Sequence, residues 1–185
     1  MLPDENLIDG CIAGKREFQK ILYDRFGSKM LYVCFRYCKN REEAEDVLQD
    51  GFVKVFNNIS KFRKEGSLEG WIRRIMVNTA LENLRKQKSI PKITDIEDER
   101  INTPSEMDAV GKLHAKDLMA MIDKLPPGYK LVFNLFAIEG YSHQEIAGML
   151  NITEGTSKSQ LSKARDYLKK NIAGELVTPK IHNNV

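Results

Sequence analysis

Apolar residues recur along this chain with the spacing of an α-helix. The first such run, from Phe18 to Tyr37, predicts one long helix or a bent pair of helices. A second run predicts a helix from Arg41 to about Asn57, and a third predicts one from Leu68 to about Lys88, with Ser67 as its N-cap. No stretch shows the alternation of a β-strand. The pattern therefore predicts an all-α protein.

The helical periodicity stops near residue 89, where a segment rich in acidic residues and containing two prolines begins. Such a composition is typical of a flexible linker. Beyond it, apolar spacing predicts a helix that ends at Pro126-Pro127 and another from about Tyr129 to Glu139. The chain is thus expected to form two small helical domains. Their predicted bounds are 1–88 for the first domain, 89–108 for the linker, 109–172 for the second domain and 173–185 for a tail.

Two short helix signals lie close together between Gly140 and Arg165. Ser142 and Glu145 have the spacing of a capping box, which predicts the start of a helix of barely two turns. Asn151 tolerates the left-handed conformation that ends a helix, and Thr153 is placed to cap the next one. This arrangement predicts a helix-turn-helix in the second domain.

The second helix of this unit has a polar side. At about 100° per residue, the side opposite Leu161 and Leu168 carries hydroxyls and lysines, with Lys158 and the amide of Gln160 on its flanks. These groups suit base edges and phosphates in a major groove. Polar helical faces are often merely solvated, but the short preceding helix and the hydroxyl-rich N-terminal half favour DNA binding. The candidate DNA-contacting residues are Thr156, Lys158, Ser159, Gln160, Ser162 and Lys163.

The helix that begins at Arg41 has an acidic side opposite its apolar one. The residues on this side are Asp46, Gln49, Asp50, Val53 and Asn57, and the first four are called the acidic stripe below. Acidic residues around an apolar one form a plausible protein-docking surface. A plain solvated face explains the same pattern equally well from this helix alone.

The helix that follows Ser67 carries a second informative stripe. Trp71, Arg74, Asn78 and Arg85 share one narrow line along it. Cations, an amide and an aromatic ring suit single-stranded DNA, because guanidinium groups hold phosphates while exposed bases stack. The competing interpretation places Trp71 in the core and leaves the arginines solvated, and we favour core for Trp71 itself.

Composition mainly excludes other classes of protein. A net charge of +3 decides nothing about nucleic acid, and the three cysteines are best interpreted as buried thiols. The histidines lack metal-ligand spacing and no catalytic motif is present, so we expect no enzyme activity, metal, cofactor or small-molecule substrate. The acidic first residues and the absence of a long apolar run predict a cytoplasmic protein.

Three segments in this order resemble bacterial sigma factors of the sigma-70 family, in the extracytoplasmic-function group. The segment A-E-D-V-L-Q-D-G-F-V-K-V-F is similar to the family's polymerase-binding region, and F-R-K-E-G-S-L-E-G-W-I-R-R-I-M-V-N-T-A to its promoter-melting region. G-Y-S-H-Q-E-I-A-G-M-L-N-I-T-E-G-T-S-K-S-Q-L-S-K-A-R resembles its promoter-reading helix-turn-helix. Ser157 departs from a usual valine; we expect it to face the core and to hydrogen-bond back to its own helix. Gln160 stands where a basic residue is common.

The resemblance implies a role for each stripe. The acidic stripe would bind core RNA polymerase, Asn78 would hold an unstacked base of the minus-ten element with Arg74 and Arg85 nearby, and the C-terminal helix would read the minus-thirty-five element. The loop that captures the unstacked base would contain Phe62, Arg63, Lys64 and Ser67. The implied function is to direct polymerase to promoters and to open them. The implied partners are core polymerase, promoter DNA and an anti-sigma factor, which is often membrane-bound in this family.

A helix-turn-helix regulator without sigma activity is the main alternative, since many repressors share that motif. It would require a dimer surface or a sensor domain, and neither is evident in the sequence. A helical adaptor that docks only proteins is a third hypothesis. The lysines and hydroxyls of the last helix argue against it.

Overall fold

The computed structural model describes residues 2–87, residue 93 and residues 115–177, with the backbone alone at 115–117 and 173–177. Every regular element in these ranges is helical, which confirms the predicted all-α fold. The chain divides into two compact units between residues 90 and 91. Apart from Ile93, the predicted linker lies outside the described residues.

The first unit contains four α-helices and a short 3₁₀ turn within its described part. The long helix α2 is single rather than a bent pair. A helix that the sequence did not predict, α1, precedes it, and its Gly10 lies so close to the Phe18 ring that a Cβ atom there would overlap the ring. The elements are α1 (Asp4–Ile12), α2 (Arg16–Phe35), α3 (Arg41–Asn58), the 3₁₀ turn (Ile59–Lys61) and α4 (Leu68–Lys86).

Local hydrogen bonds set where α3 and α4 begin. The Asn40 side chain accepts from the Glu43 N–H at 2.8 Å, and the Ser67 hydroxyl accepts from the Gly70 N–H at 3.0 Å. The Ser67 cap confirms the sequence prediction. Helix α2 packs against α1, α3 and α4, so the core lies among the four helices. Its fully buried side chains include Leu7, Leu22, Met30, Val55, Ile72 and Met76.

The second unit differs from the prediction near its prolines. Pro127 opens a helix instead of only ending the previous one, because proline suits a first helical turn, where its missing N–H is not needed. The helix predicted to reach Glu139 widens into a π-helical turn, and the last helix continues past residue 172. The elements are α5 (Ala115–Asp123), α6 (Pro127–Phe133), the π-turn (Asn134–Ile138), α7 (His143–Leu150) and α8 (Glu154–Val177).

The helix-turn-helix formed by α7 and α8 confirms the prediction in its details. The Glu145 carboxylate accepts from the Ser142 N–H at 2.8 Å, and the Ser142 hydroxyl accepts from the Glu145 N–H at 3.2 Å. Asn151 ends α7 with φ 55°, and the Thr153 hydroxyl accepts from the Thr156 N–H at 3.0 Å. Helix α8 packs against α5, α6 and α7, and α7 also packs against the π-turn. Buried residues here are Met121, Ile122, Leu125, Ile146, Leu150, Leu161, Ala164 and Leu168.

Candidate functional site

The acidic stripe of α3 lies on the surface of the first unit. Asp46, Gln49 and Asp50 are exposed, and the Val53 side chain among them is 57% exposed. The opposite side of α3 is buried in the core, as predicted. An exposed valine among carboxylates is available for contact with a protein partner. The polymerase contact itself stays a prediction.

A groove between α3 and α4 gathers part of the predicted single-strand stripe. Its volume is about 320 Å³, and Trp71 and Asn78 both line it. Trp71 is half-buried here, so its predicted place in the core is wrong. Arg74 and Arg85 are exposed on α4 but do not line the groove. The full lining is Lys54, Asn58, Lys61, Trp71, Ile75, Asn78, Thr79 and Glu82.

Most polar groups in this groove already have partners. Lys54 pairs with Glu82 at 2.6 Å, the Lys61 ammonium donates to the Asn58 side-chain oxygen at 2.8 Å, and the Thr79 hydroxyl donates to a backbone carbonyl of α4 at 2.8 Å. Within the described part of the chain, the Asn78 amide has no hydrogen-bond partner. It therefore faces the groove with its donors and acceptor unused. Sequence reasoning missed Lys54, Lys61 and Glu82, because a helical wheel of α4 does not show what α3 brings beside it.

The loop of residues 62–67 joins the 3₁₀ turn to α4 and contains the other predicted minus-ten residues. The half-buried Phe62 ring lies 5.6 Å from the Trp71 ring, centroid to centroid. Arg63 and Lys64 are exposed, and the Ser67 hydroxyl oxygen caps α4 by accepting a hydrogen bond from the Gly70 N–H. Lys64 has φ 59° and pairs with Glu5 of α1 at 2.9 Å. That hydrogen bond raises the pKa of Lys64 and lowers the pKa of Glu5.

On α8 the structure confirms an exposed polar face but corrects its membership. Lys158, Ser159 and Ser162 are exposed and Lys163 is half-buried. Thr156 is only 3% exposed and Gln160 only 6%, so the predicted place of Thr156 on the outer face and that of Gln160 on its flank are both wrong.

The two corrections have specific physical causes. The Thr156 hydroxyl lies 2.7 Å from the hydroxyl of Thr153, the residue that caps α8. Gln160 lies against Gly128 of α6, where a Cβ atom would come within 3.2 Å of its Oε1. Helix α8 therefore buries a wider side than its leucines alone indicate.

Ser157 is fully buried, as predicted, but its hydroxyl does not bond back to its own helix. It lies 2.9 Å from Nδ1 of His143, the first residue of α7. The His143 ring stacks on Phe136 at 4.4 Å between centroids, which fixes the ring beside Ser157. Burial, reinforced by the nearby Lys158 charge, lowers the pKa of His143 and favours a neutral imidazole. Sequence reasoning missed this pair because it joins two helices.

The cysteines show no sign of a reactive or metal-binding role. Burial raises the pKa of Cys34 and of Cys38 to about 12, which disfavours the reactive thiolate. Across the described ranges, no cluster of His, Cys, Asp or Glu has the arrangement needed to hold a metal ion. None of the described helices has both the length and the apolar character that a membrane span requires.

Comparison with known protein families assigns each unit separately. Residues 22–90 match sigma-70 region 2, and residues 115–168 match sigma-70 region 4. The first match contains the acidic stripe, the α4 groove and the 62–67 loop. The second contains the helix-turn-helix.

Similar individual proteins support the same assignment. The chain is 29% identical over 157 residues to the ECF RNA polymerase sigma factor SigE of Mycolicibacterium smegmatis, covering 82% of this chain and 60% of that protein. It is 28% identical over 183 residues to the ECF RNA polymerase sigma-E factor of Haemophilus influenzae, covering 92% of this chain and 96% of that protein. The sigma factor RpoE of Bartonella quintana, solved with the anti-sigma factor NepR, has a similar fold, with a TM-score of 0.50, 21% identity, and coverage of 82% of this chain and 94% of that one.

Proposed function

Because the chain belongs to the sigma-70 family, in its extracytoplasmic-function group, it directs core RNA polymerase to specific promoters, and we propose that three of its surfaces divide this work. The acidic stripe binds the polymerase. The α4 groove, together with the 62–67 loop, holds the opened minus-ten strand. The exposed face of α8 contacts the minus-thirty-five duplex.

The main observation behind the minus-ten assignment is the exposed Asn78 amide, which has no hydrogen-bond partner in the described part of the chain, beside Trp71 in one open groove. An unstacked base offers a π-face and a hydrogen-bonding edge, and an aromatic ring beside an amide complements both. Lys61, which is bonded only to the neutral Asn58 amide, supplies positive charge for the phosphates of the same strand, whereas the charge of Lys54 is balanced by Glu82. Arg74 and Arg85, exposed on the same helix outside the groove, would contact the neighbouring backbone.

The minus-thirty-five assignment rests on the N-terminal half of α8. Lys158, Ser159 and Ser162 are exposed there, and Lys163 is partly so. The lysines would contact phosphates while the hydroxyls reach phosphates or base edges. Thr156 and Gln160 are buried against neighbouring residues, so we assign them no DNA contact.

Polymerase binding is assigned to the acidic stripe because it combines charge with an exposed apolar residue, Val53. A carboxylate rim around an apolar contact gives both orientation and buried area. The family's partners also lead us to propose an anti-sigma factor that covers one or more of these surfaces.

The sigma-70 family is not a class of enzymes, and we assign no covalent chemistry to this chain. We place its action in the cytoplasm, where core polymerase and promoter DNA meet.

Transcription in vitro tests the function directly. Purified chain is mixed with core polymerase and genomic DNA, and RNA 5′ ends are mapped with and without the chain. We expect starts that require the chain and share upstream sequence elements, with a stable complex of chain and polymerase on gel filtration. DNA binding without polymerase binding or initiation would instead support the helix-turn-helix regulator without sigma activity.

A further inference from the structure

Helix α1, which the sequence did not predict, contacts the loop proposed to capture the minus-ten base. Its Glu5 carboxylate accepts a hydrogen bond from the Lys64 ammonium at 2.9 Å, joining residues 59 positions apart in the chain. Helix α1 also packs against the 3₁₀ turn that leads into the loop. A carboxylate therefore lies beside a loop that we propose binds DNA, although the two negative charges repel each other.

Both ends of the 62–67 loop are held by other contacts. The Phe62 N–H donates to the Ile59 carbonyl at 3.1 Å, and the Phe62 ring lies against Trp71. At the other end, Ser67 caps α4, and Glu69 in the first turn of α4 pairs with Lys29 at 2.7 Å. Among the described residues, no backbone–backbone hydrogen bond involves positions 63–66 in the middle of the loop. The ion pair of Lys64 with Glu5 joins this part of the loop to another element.

Lys64 has an uncommon backbone conformation. Its φ of 59° lies in the left-handed region, which a lysine rarely adopts because its Cβ crowds the backbone. Gly66, with φ 147°, needs no comparable support, since glycine has no Cβ. Something must therefore favour the left-handed state at Lys64, and Glu5 holds the end of its side chain.

The first turn of α1, which contains Glu5, is held in place by contacts with α2. The Arg25 guanidinium, whose side chain is only 17% exposed, donates to the Asp4 carboxylate and to the Leu2 carbonyl, each at 2.7 Å. At the other end of α1, Gly10 packs directly on Phe18. The first turn of α1 is thus anchored to α2, and Glu5 presents its carboxylate from a rigid element.

We propose that Glu5 is a positioning residue for promoter opening: its ion pair holds Lys64 left-handed and so keeps the 62–67 loop in the shape that receives the unstacked minus-ten base. Glu5 itself does not touch DNA. The proposal rests on the function assigned above to this loop. The simpler idea, that Lys64 binds phosphate directly, predicts the opposite effect of removing the Glu5 carboxylate. In that case Glu5 would compete with DNA for Lys64, and its removal would strengthen DNA binding.

The first test uses holoenzyme assembled from the full chain and a fluorescent fork promoter whose minus-ten non-template strand is single-stranded. Glu5→Gln should weaken probe binding about two- to fivefold, the range that an exposed ion pair can supply. Asp24→Asn removes a similarly exposed pair on α2, with Lys20, and should leave binding unchanged. Unchanged or tighter binding by Glu5→Gln overturns the proposal.

A matched pair of variants separates loop shape from charge. Lys64→Asn and Lys64→Val both remove the ammonium, but asparagine accepts the left-handed region and a β-branched valine does not. We expect Lys64→Asn to bind the probe more tightly than Lys64→Val and to be insensitive to Glu5→Gln, because asparagine keeps the left-handed conformation without the ion pair. Equal weakening by both variants would assign the effect to the lost charge and overturn the proposal.

Two controls distinguish failure of the Glu5 proposal from failure of the proposed minus-ten function of the groove. Thermal unfolding of each variant, followed by circular dichroism, shows that the helices persist. Asn78→Ala should weaken the same probe through the groove. If Asn78→Ala weakens binding but the Glu5 and Lys64 variants do not, only the positioning role fails. If Asn78→Ala has no effect, the groove assignment itself fails.

Discussion

Ser157 and His143 show how one side chain can replace an apolar contact that the family pattern would supply. Where a valine would fill space, Ser157 places a hydroxyl 2.9 Å from an imidazole nitrogen that is itself half-buried. A buried hydroxyl without a partner destabilises a fold, so the pair must be complete to be tolerated. Its position ties the first turn of α7 to the first turn of α8. The pair therefore fixes the start of the proposed DNA-reading helix.

Replacing Ser157 by alanine should lower the free energy of unfolding by about 1 kcal/mol, because it removes one buried hydrogen bond and leaves the imidazole nitrogen unpaired. Urea unfolding of the full chain measures the change. Ser162→Ala, an exposed hydroxyl on the same helix, is the matched control and should have little effect. Equal stability of the wild type and Ser157→Ala would show that the hydrogen bond contributes nothing.

His143 should make the second unit sensitive to pH. Its pKa in the folded chain lies below the usual 6.5, through burial first and then through the Lys158 and Arg165 charges, with Glu154 opposing. The unfolded chain therefore binds the proton more readily. The resulting stability is complete above about pH 6.5 and is lost as pH falls from that value towards the folded-state pKa. Thermal melts should show a steeper loss of melting temperature for the wild type than for His143→Gln; parallel curves would contradict this.

Among whole elements, those defined by local contacts were predictable. The Ser142–Glu145 capping box, Asn151 and Thr153 lie within a few residues of the groups that they satisfy, so the bounds of α7 and the start of α8 follow from the sequence. Distant contacts decide the rest. Gln160 is buried because α6 places Gly128 beside it, which no wheel of α8 reveals.

Helix α1 and the α4 groove were missed for related reasons. Three apolar residues in a short acidic segment give a weak helical signal, and α1 is held by packing on α2 rather than by strong caps. The groove needs lysines from α3 and the 3₁₀ turn beside Trp71 and Asn78 of α4. The stripes along single helices were readable from periodicity, but the sites formed between helices were not.

Helix α3 should bind polymerase through its acidic stripe. Charge reversal of Asp46 and Asp50 to lysine should weaken the complex with core polymerase on the order of tenfold, because both attraction and orientation are lost. Neither residue is buried, so the melting temperature should change little. Binding is measured by fluorescence anisotropy of the labelled chain.

The matched control for this stripe is Glu17→Lys, which reverses an exposed acid in the first turn of α2. It should bind polymerase as the wild type does. Asp50→Lys alone is measured beside it, so that each variant reverses one charge. If Glu17→Lys weakens polymerase binding as much as Asp50→Lys, the effect reflects the overall charge of the chain rather than the stripe. Unchanged binding by the double variant would remove the assignment.

At the scale of the molecule, the two units carry different proposed DNA-contacting surfaces, which predicts two separable stages of promoter use. The exposed lysines of α8 suit double-stranded DNA, whose phosphates they neutralise. The groove beside Asn78 suits an unstacked base, which exists only after the duplex opens. A variant in one unit should therefore affect one stage and spare the other.

Lys158→Ala should weaken holoenzyme binding to a closed duplex promoter and reduce the salt dependence of that binding by about one phosphate contact. Lys169→Ala, an exposed lysine three turns further along α8, is the matched control.

Asn78→Ala should leave duplex binding intact and slow strand opening on the order of tenfold, measured by permanganate reactivity of unpaired thymines. Loss of a duplex contact and loss of a base contact should act at different points of the reaction. If both variants instead impair only the same stage, the two units do not divide recognition and opening between them.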